Sequence, residues 1–166
     1  MRRFQGRVAA LVVTLCATSA TAAAEDCELF SKVFQASRSG FSELQGAYDS
    51  DLDEYTATLF LPGATRCYIN GAVDSDYACE WRYAANEKAD VEAAMAEVVA
   101  SVRACVPENA LKSVQEIPET HEGWSDKVRV TLKDRRTILV YYQFHKNKRK
   151  PERSTYALRM RMQGKY

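Results

Sequence analysis

Four cysteines, Cys27, Cys67, Cys79 and Cys105, follow an N-terminal stretch laid out as an export signal, and together they restrict this 166-residue chain more than any other feature. Arg2, Arg3 and Arg7 precede an apolar run over 8–18, and residues 20–24 offer small-x-small cleavage sites. A membrane span needs about 18 or more apolar residues, so this shorter run predicts a cleaved signal peptide at 1–24 rather than an anchor. The fifth cysteine, Cys16, leaves with it, because the residue before it is Leu15 and not the small residue that lipid attachment requires. What remains, 25–166, is long enough for a single domain with its own core.

An even number of cysteines in an exported chain favours disulfides over metal or redox chemistry. There is no CxxC and there are two histidines, so a zinc site has little support and no cofactor is expected. Four cysteines allow three pairings, and the expected elements rank them. Cys67 and Cys79 sit in strand-like runs, 65–70 and 77–84, on either side of the turn-rich segment 70–76, so they face each other across a hairpin. Cys27 opens one helical pattern and Cys105 closes another, so antiparallel helices bring them together. On the chain-entropy account the short loop contributes about 3 kcal/mol and the long one about 4–5 kcal/mol.

Apolar residues at Cys27, Phe30, Val33, Phe34, Phe41 and Leu44 recur at helical spacing, and Glu25 and Asp26 suit the helix start. Tyr55, Ala57, Leu59 and Leu61 alternate as in a strand, ended by Pro62-Gly63. Tyr77, Cys79, Trp81 and Tyr83 share one face of a later strand, while Glu80 and Arg82 take the other. From Asn86, read as an N-cap, Val91, Met95, Val98, Val99 and Val102 form a helical stripe that Pro107 closes. Residues 107–126 read as a connection with a short strand at 113–117. Three strand patterns follow, on Val128-Val130-Leu132, on Ile138-Val140-Tyr142-Phe144, and on Tyr156-Leu158-Met160-Met162. The expected fold is α+β in two layers, with two helices on one face of an antiparallel sheet, in the order α-βββ-α-βββ, stapled by disulfides. The repeat of helix and strands invites a duplication, although the two halves share no sequence similarity that would establish one.

Charge divides the chain. Residues 25–126 hold 7 Lys or Arg against 20 Asp or Glu, a net of −13, and 127–166 hold 13 against 2, a net of +11. Such a split either builds a surface for an oppositely charged partner or neutralises itself within the fold. A three-residue loop at 134–136 pairs Leu132 with Ile138 and Val130 with Val140, and sets Arg129 opposite Tyr141. At the next hairpin, His145 opposite Thr155 sets Tyr141 against Arg159 and Leu139 against Arg161. The outward face then carries Arg129, Thr131, Lys133, Leu139, Tyr141, Arg159 and Arg161, of which Arg129, Lys133, Tyr141, Arg159 and Arg161 are the candidate contacts for an acidic protein or anionic polymer. The polar tip at 146–153 is a second basic candidate, and export disfavours nucleic acid as the ligand.

Catalytic signals are weak. GxSxG is absent, paired cysteines offer no thiol, and an acid/base pair such as Glu80 with Glu122 is one of many that abundant carboxylates permit. Trp81 and Trp124 read as core or rim residues rather than sugar-stacking platforms. The favoured expectation is a non-catalytic exported binding protein of the bacterial envelope, placed in the periplasm, with secretion beyond the cell as the alternative. The rival is a small hydrolase of a wall or extracellular polymer that uses carboxylates and His121.

Overall fold

The structure is a computed structural model that describes residues 19–70 and 75–164, with side chains described from Cys27 onward. Residues 1–18 of the expected signal lie outside the described residues. The elements run α1 (Ser19–Ala36), β1 (Gln45–Asp49), β2 (Glu54–Ala57), β3 (Arg66–Asn70), β4 (Asp76–Ala84), α2 (Lys88–Cys105), β5 (Leu111–Ile117), β6 (Lys127–Leu132), β7 (Thr137–His145) and β8 (Thr155–Gln163). The fold is α+β. Eight strands among the described residues form one antiparallel sheet in the order β1-β2-β3-β4-β8-β7-β6-β5. Each helix is followed by a four-strand meander, and the meanders meet where β4 and β8 pair from Asp76 with Gln163 to Ala84 with Thr155.

The expected order α-βββ-α-βββ is thereby corrected to α-ββββ-α-ββββ. β1 escaped the sequence reading because Gln45-Gly46-Ala47-Tyr48-Asp49 shows no apolar alternation and lies exposed at the sheet edge. Gly46 is required there, since a Cβ would stand 2.8 Å from the Thr56 carbonyl oxygen on β2. β5 is longer than the short strand expected at 113–117, and it starts with a register shift between Leu111 and Ser113.

α1 ends at Ala36, well before the Leu44 that its apolar spacing suggested. Ser37 Oγ donates to the Phe34 carbonyl (2.6 Å) and Ser39 Oγ to that of Ala36 (3.0 Å), local bonds that compete with the helix. Gly40 then turns left-handed (φ 63°). Phe41 follows into the core and packs on Tyr77 with ring centroids 5.8 Å apart. α2 begins at Lys88, so Asn86 does not cap it; the flanking residue is Glu87, whose Oε2 instead accepts from the Ala84 N–H (2.6 Å). The strand expected to run to Leu61 stops at Ala57, where Thr58 turns both its N–H and its hydroxyl to the Leu44 carbonyl.

Cys67 is bonded to Cys79 across β3 and β4, where the two residues are direct partners, and Cys27 is bonded to Cys105, tying α1 to α2. Phe30, Val33, Val91 and Val102 of the helices share one buried cluster with Cys79, Val130, Val140, Leu158 and Met160 of the sheet. Residues of opposite parity on the same strands, Glu80, Arg129, Tyr141, Arg159 and Arg161 among them, belong to the other face.

One register needs correction. β6 pairs with β7 through Val128 with Val140, Arg129 with Leu139 and Val130 with Ile138, two residues away from the expected set. The loop is 133–135, closed by the Leu132 N–H on the Arg136 carbonyl (2.9 Å), with Arg135 at φ 74°. Arg136 is drawn inward and buried opposite Leu132, which moves the three-residue loop one residue back without changing its length. An even shift preserves the faces, so the apolar set stays inside. β7 and β8 pair as expected, Tyr141 with Arg159, Leu139 with Arg161 and His145 with Thr155.

Candidate binding surface

The central row of the charged face is set by strand register. Arg66 of β3 stands beside Glu80 of β4, then come Arg159 of β8 and Tyr141 of β7. Glu80 is buried, and both its oxygens are used: Arg82 Nε donates to Oε1 (2.7 Å) and Arg159 Nε to Oε2 (2.9 Å). One step along, Arg161 is bonded to Asp76. The acidic half of the chain therefore neutralises part of the basic half across the β4–β8 seam. Arg159 and Arg161 are structural cations, held by partners that sequence separation concealed.

Tyr141 is also not an open contact. Trp124 stacks on it with ring centroids 5.7 Å apart and planes 10° from parallel, and leaves the tyrosine 7% exposed. Lys127 Nζ lies 5.1 Å from the Trp124 ring and 5.9 Å from that of Tyr141. Because Arg129 faces Leu139, Tyr141 lies between Arg159 and Lys127 instead of between two arginines. Trp124 reaches this position through a single bridge to Gln143 and a bond from the Phe144 N–H to the Gly123 carbonyl (2.6 Å). Gly123 at φ 84° permits that approach. The pair Gly123-Trp124 inside a polar stretch was the available sequence signal.

Arg129 and Lys133 are exposed, and among the described residues neither forms an ion pair. The same holds for Lys146, Lys148, Arg149, Lys150 and Arg153 at the β7–β8 tip. That tip is built rather than loose. Asn147 Oδ1 accepts from the N–H groups of Arg149 (3.1 Å) and Lys150 (2.9 Å), and Ser154 Oγ accepts from that of Asn147 (3.0 Å). A 3-10 turn at Pro151–Arg153 then leads into β8. Five cations are held on one ordered tip, where Glu152 is the one acidic residue and no ion pair forms among the described residues.

Of the alternative site residues, His121 meets a carboxylate that the sequence reading did not name. His121 Nδ1 lies 2.5 Å from Glu119 Oε1, and Lys127 Nζ lies 2.7 Å from Glu119 Oε2. The Lys127 and His121 bonds hold the Glu119 carboxyl down at about 2, so it stays ionised and is a poor proton acceptor. The His121 side chain is 78% exposed. Glu80 is bound by two arginines, and Glu119 rather than Glu122 is the carboxylate that meets the histidine. At the strand end, burial, reinforced by Arg159, pushes the His145 imidazole below its usual value. Among the described residues no cluster of three or more His, Cys, Asp or Glu is placed to hold a metal ion.

Glu80 also predicts an acid response. Burial pushes its pKa up, but the hydrogen bonds and charges of Arg82 and Arg159 outweigh burial and leave it below the ordinary value. A depressed folded pKa contributes stability above the unfolded value, about 4.3, and loses it as pH falls through the folded one. Glu80→Gln is therefore expected to reduce stability at neutral pH and to flatten the loss on acidification below about pH 4, read by urea unfolding at both pH values. An acid limb as steep as that of the wild type would remove Glu80 as its source.

No family model, curated protein or solved structure matches the chain. The functional reading therefore rests on the surface itself. Among the described residues no helix is long and apolar enough to cross a membrane.

Proposed function

We propose that this is an exported, non-catalytic binding protein of the bacterial envelope, resident in the periplasm, that docks an acidic protein on its basic sheet face and the adjoining β7–β8 tip. Export is supported by the arginine-led N-terminal segment and by two disulfides, which persist in oxidising compartments. The two-layer arrangement belongs to the same proposal, since helix residues cluster with one parity of the sheet and leave the charged parity for a partner.

The observation that carries the reading is the distribution of unpaired charge. Arg159 and Arg161 are matched internally, whereas Arg129, Lys133 and the five tip cations are not. Docking is therefore centred on Arg129, Lys133 and the tip, with Tyr141, Arg159 and Arg161 shaping the face beneath. Half-buried Leu139 and Trp124 lie among these cations. Mixed apolar and cationic surface suits an acidic protein better than a uniformly charged polymer.

The test is affinity capture from the native compartment by the wild type and by two charge reversals, Arg129→Glu with Lys133→Glu, and Lys148→Glu with Arg149→Glu and Lys150→Glu. Each reversal is expected to leave the fold intact and to abolish capture of an acidic protein at physiological salt, with weaker capture by the wild type as salt rises and the Debye length drops below about 10 Å. Unchanged capture by both variants would overturn the proposal. Retention of an anionic polymer alone would replace the acidic protein as the partner.

A further inference from the structure

The apolar parity of the sheet encloses an open cleft that the charged face does not use. It has a volume of about 320 Å3 and lies between Phe30 of α1, Val98 and Val102 of α2, Trp81 of β4 and Met160 of β8. Such a volume lies in the range of small-molecule sites. Residues 61–63 form a further wall. Trp81 Nε1 donates to the Pro62 carbonyl (2.9 Å), and Gly63 turns through φ 69° against the indole.

Covalent bonds tether these walls. Cys27–Cys105 ties α1 to α2 one turn from Phe30 and Val102, and Cys67–Cys79 fixes β4 two residues before Trp81, on the same face. The two tethers limit how far α1, α2 and β4 can move relative to their bonded neighbours when a ligand enters.

The polarity of the lining selects the ligand. Glu97 is the one charged residue among those that line the cleft; it is exposed, and among the described residues it forms no ion pair. Tyr83 lines the same cleft, and burial followed by the charges of Glu97, Asp90 and Glu87 raises its pKa, so the field there is negative. Trp81 and Tyr83 add aromatic surface that attracts cations. A carboxylate-headed amphiphile is repelled by this arrangement.

We infer that the cleft between α1, α2 and the β4–β8 seam binds a small apolar molecule that carries one positive charge, its apolar body against Trp81, Val98 and Met160 and its cation at Glu97. This site is separate from the basic face, and its ligand has the opposite charge preference.

Trp81 is the reporter once Trp124 is removed. In a Trp124→Phe background, below micelle-forming concentrations, decylamine is expected to change Trp81 emission saturably at one site. Decanoate is expected to bind at least about fivefold more weakly. Glu97→Lys, at an exposed position, is expected to reverse that order, and Ala94→Phe, which fills the cleft from α2, to remove binding of both. The inference is overturned by the absence of a saturable response to decylamine in a folded Trp124→Phe protein, by equal binding of decanoate, or by an unchanged order in Glu97→Lys. If Ala94→Phe does not fold, Glu97→Lys alone decides. The charge reversals on the basic face are expected to leave decylamine binding unchanged, so failure of one site does not count against the other.

Discussion

Removing the Cys27–Cys105 bridge by replacing both residues with alanine is expected to lower stability by about 4 kcal/mol, and the midpoint of thermal unfolding by roughly 10–15 °C. The bridge closes the longer loop, a sequence separation of 78 residues against 12 for Cys67–Cys79. Loop entropy grows with the logarithm of loop length, so the short bridge is expected to contribute about 3 kcal/mol. The long bridge also acts on the native state. α1 meets the core through Phe30, Val33 and Phe34, and without the bond no covalent link ties it to α2. Calorimetric unfolding of the two double variants, each compared with the intact protein, provides the check. If loss of the short bridge costs more than loss of the long one, chain entropy is not what stabilises this fold. The same variant bears on the apolar cleft, because α1 supplies Phe30 to its wall. Weaker decylamine binding at temperatures where the variant stays folded is the corresponding expectation.

Local pattern made part of this architecture legible. Cys67 and Cys79 lie at matching positions around a turn-rich segment, so their pairing follows from hairpin geometry, and it is the pairing in the structure. The β7–β8 register also agrees with the structure, although apolar alternation fixes the faces and leaves even shifts open, as the β6–β7 pair shows. What was hidden is non-local. The β4–β8 seam joins strands 79 residues apart in sequence, as Asp76 and Thr155 at their first residues show, and no hairpin announces it. Glu80 therefore read as one of many available carboxylates and Arg159 and Arg161 as candidate contacts, although the seam joins Glu80 to Arg159 and Asp76 to Arg161. Tyr141 read as open because Trp124 arrives from an irregular stretch with no periodicity to follow. β1 was missed for a different reason, in that an exposed edge strand buries too little to impose an apolar pattern.

Arg135 and Arg136 stand side by side in the sequence, and they are expected to differ sharply when replaced. Arg136 is 4% exposed. Its Nε and one terminal nitrogen donate to Asp134 Oδ2 (2.9 and 2.6 Å), and its other terminal nitrogen reaches Ser37 Oγ and the Phe34 carbonyl (3.2 Å). The guanidinium also lies over the Phe34 ring, 4.8 Å from its centroid. It thus closes the carbonyl end of α1 against the β6–β7 loop, satisfying groups that the helix leaves unbonded. Arg136→Met keeps the apolar volume but strips those donors, and is expected to cost about 3 kcal/mol, the lower end for a broken buried pair because Asp134 remains partly open to water. Arg136→Lys should recover less than half, since one ammonium cannot reach Asp134, Ser37 and Phe34 with the same fork. Arg135 is exposed and forms no ion pair among the described residues, so Arg135→Met is expected within about 0.5 kcal/mol of the wild type. Urea unfolding of the three variants under one condition measures the contrast. Equal costs for Arg135→Met and Arg136→Met would show that the buried guanidinium does not anchor α1. A full rescue by lysine would show that its charge matters and its geometry does not.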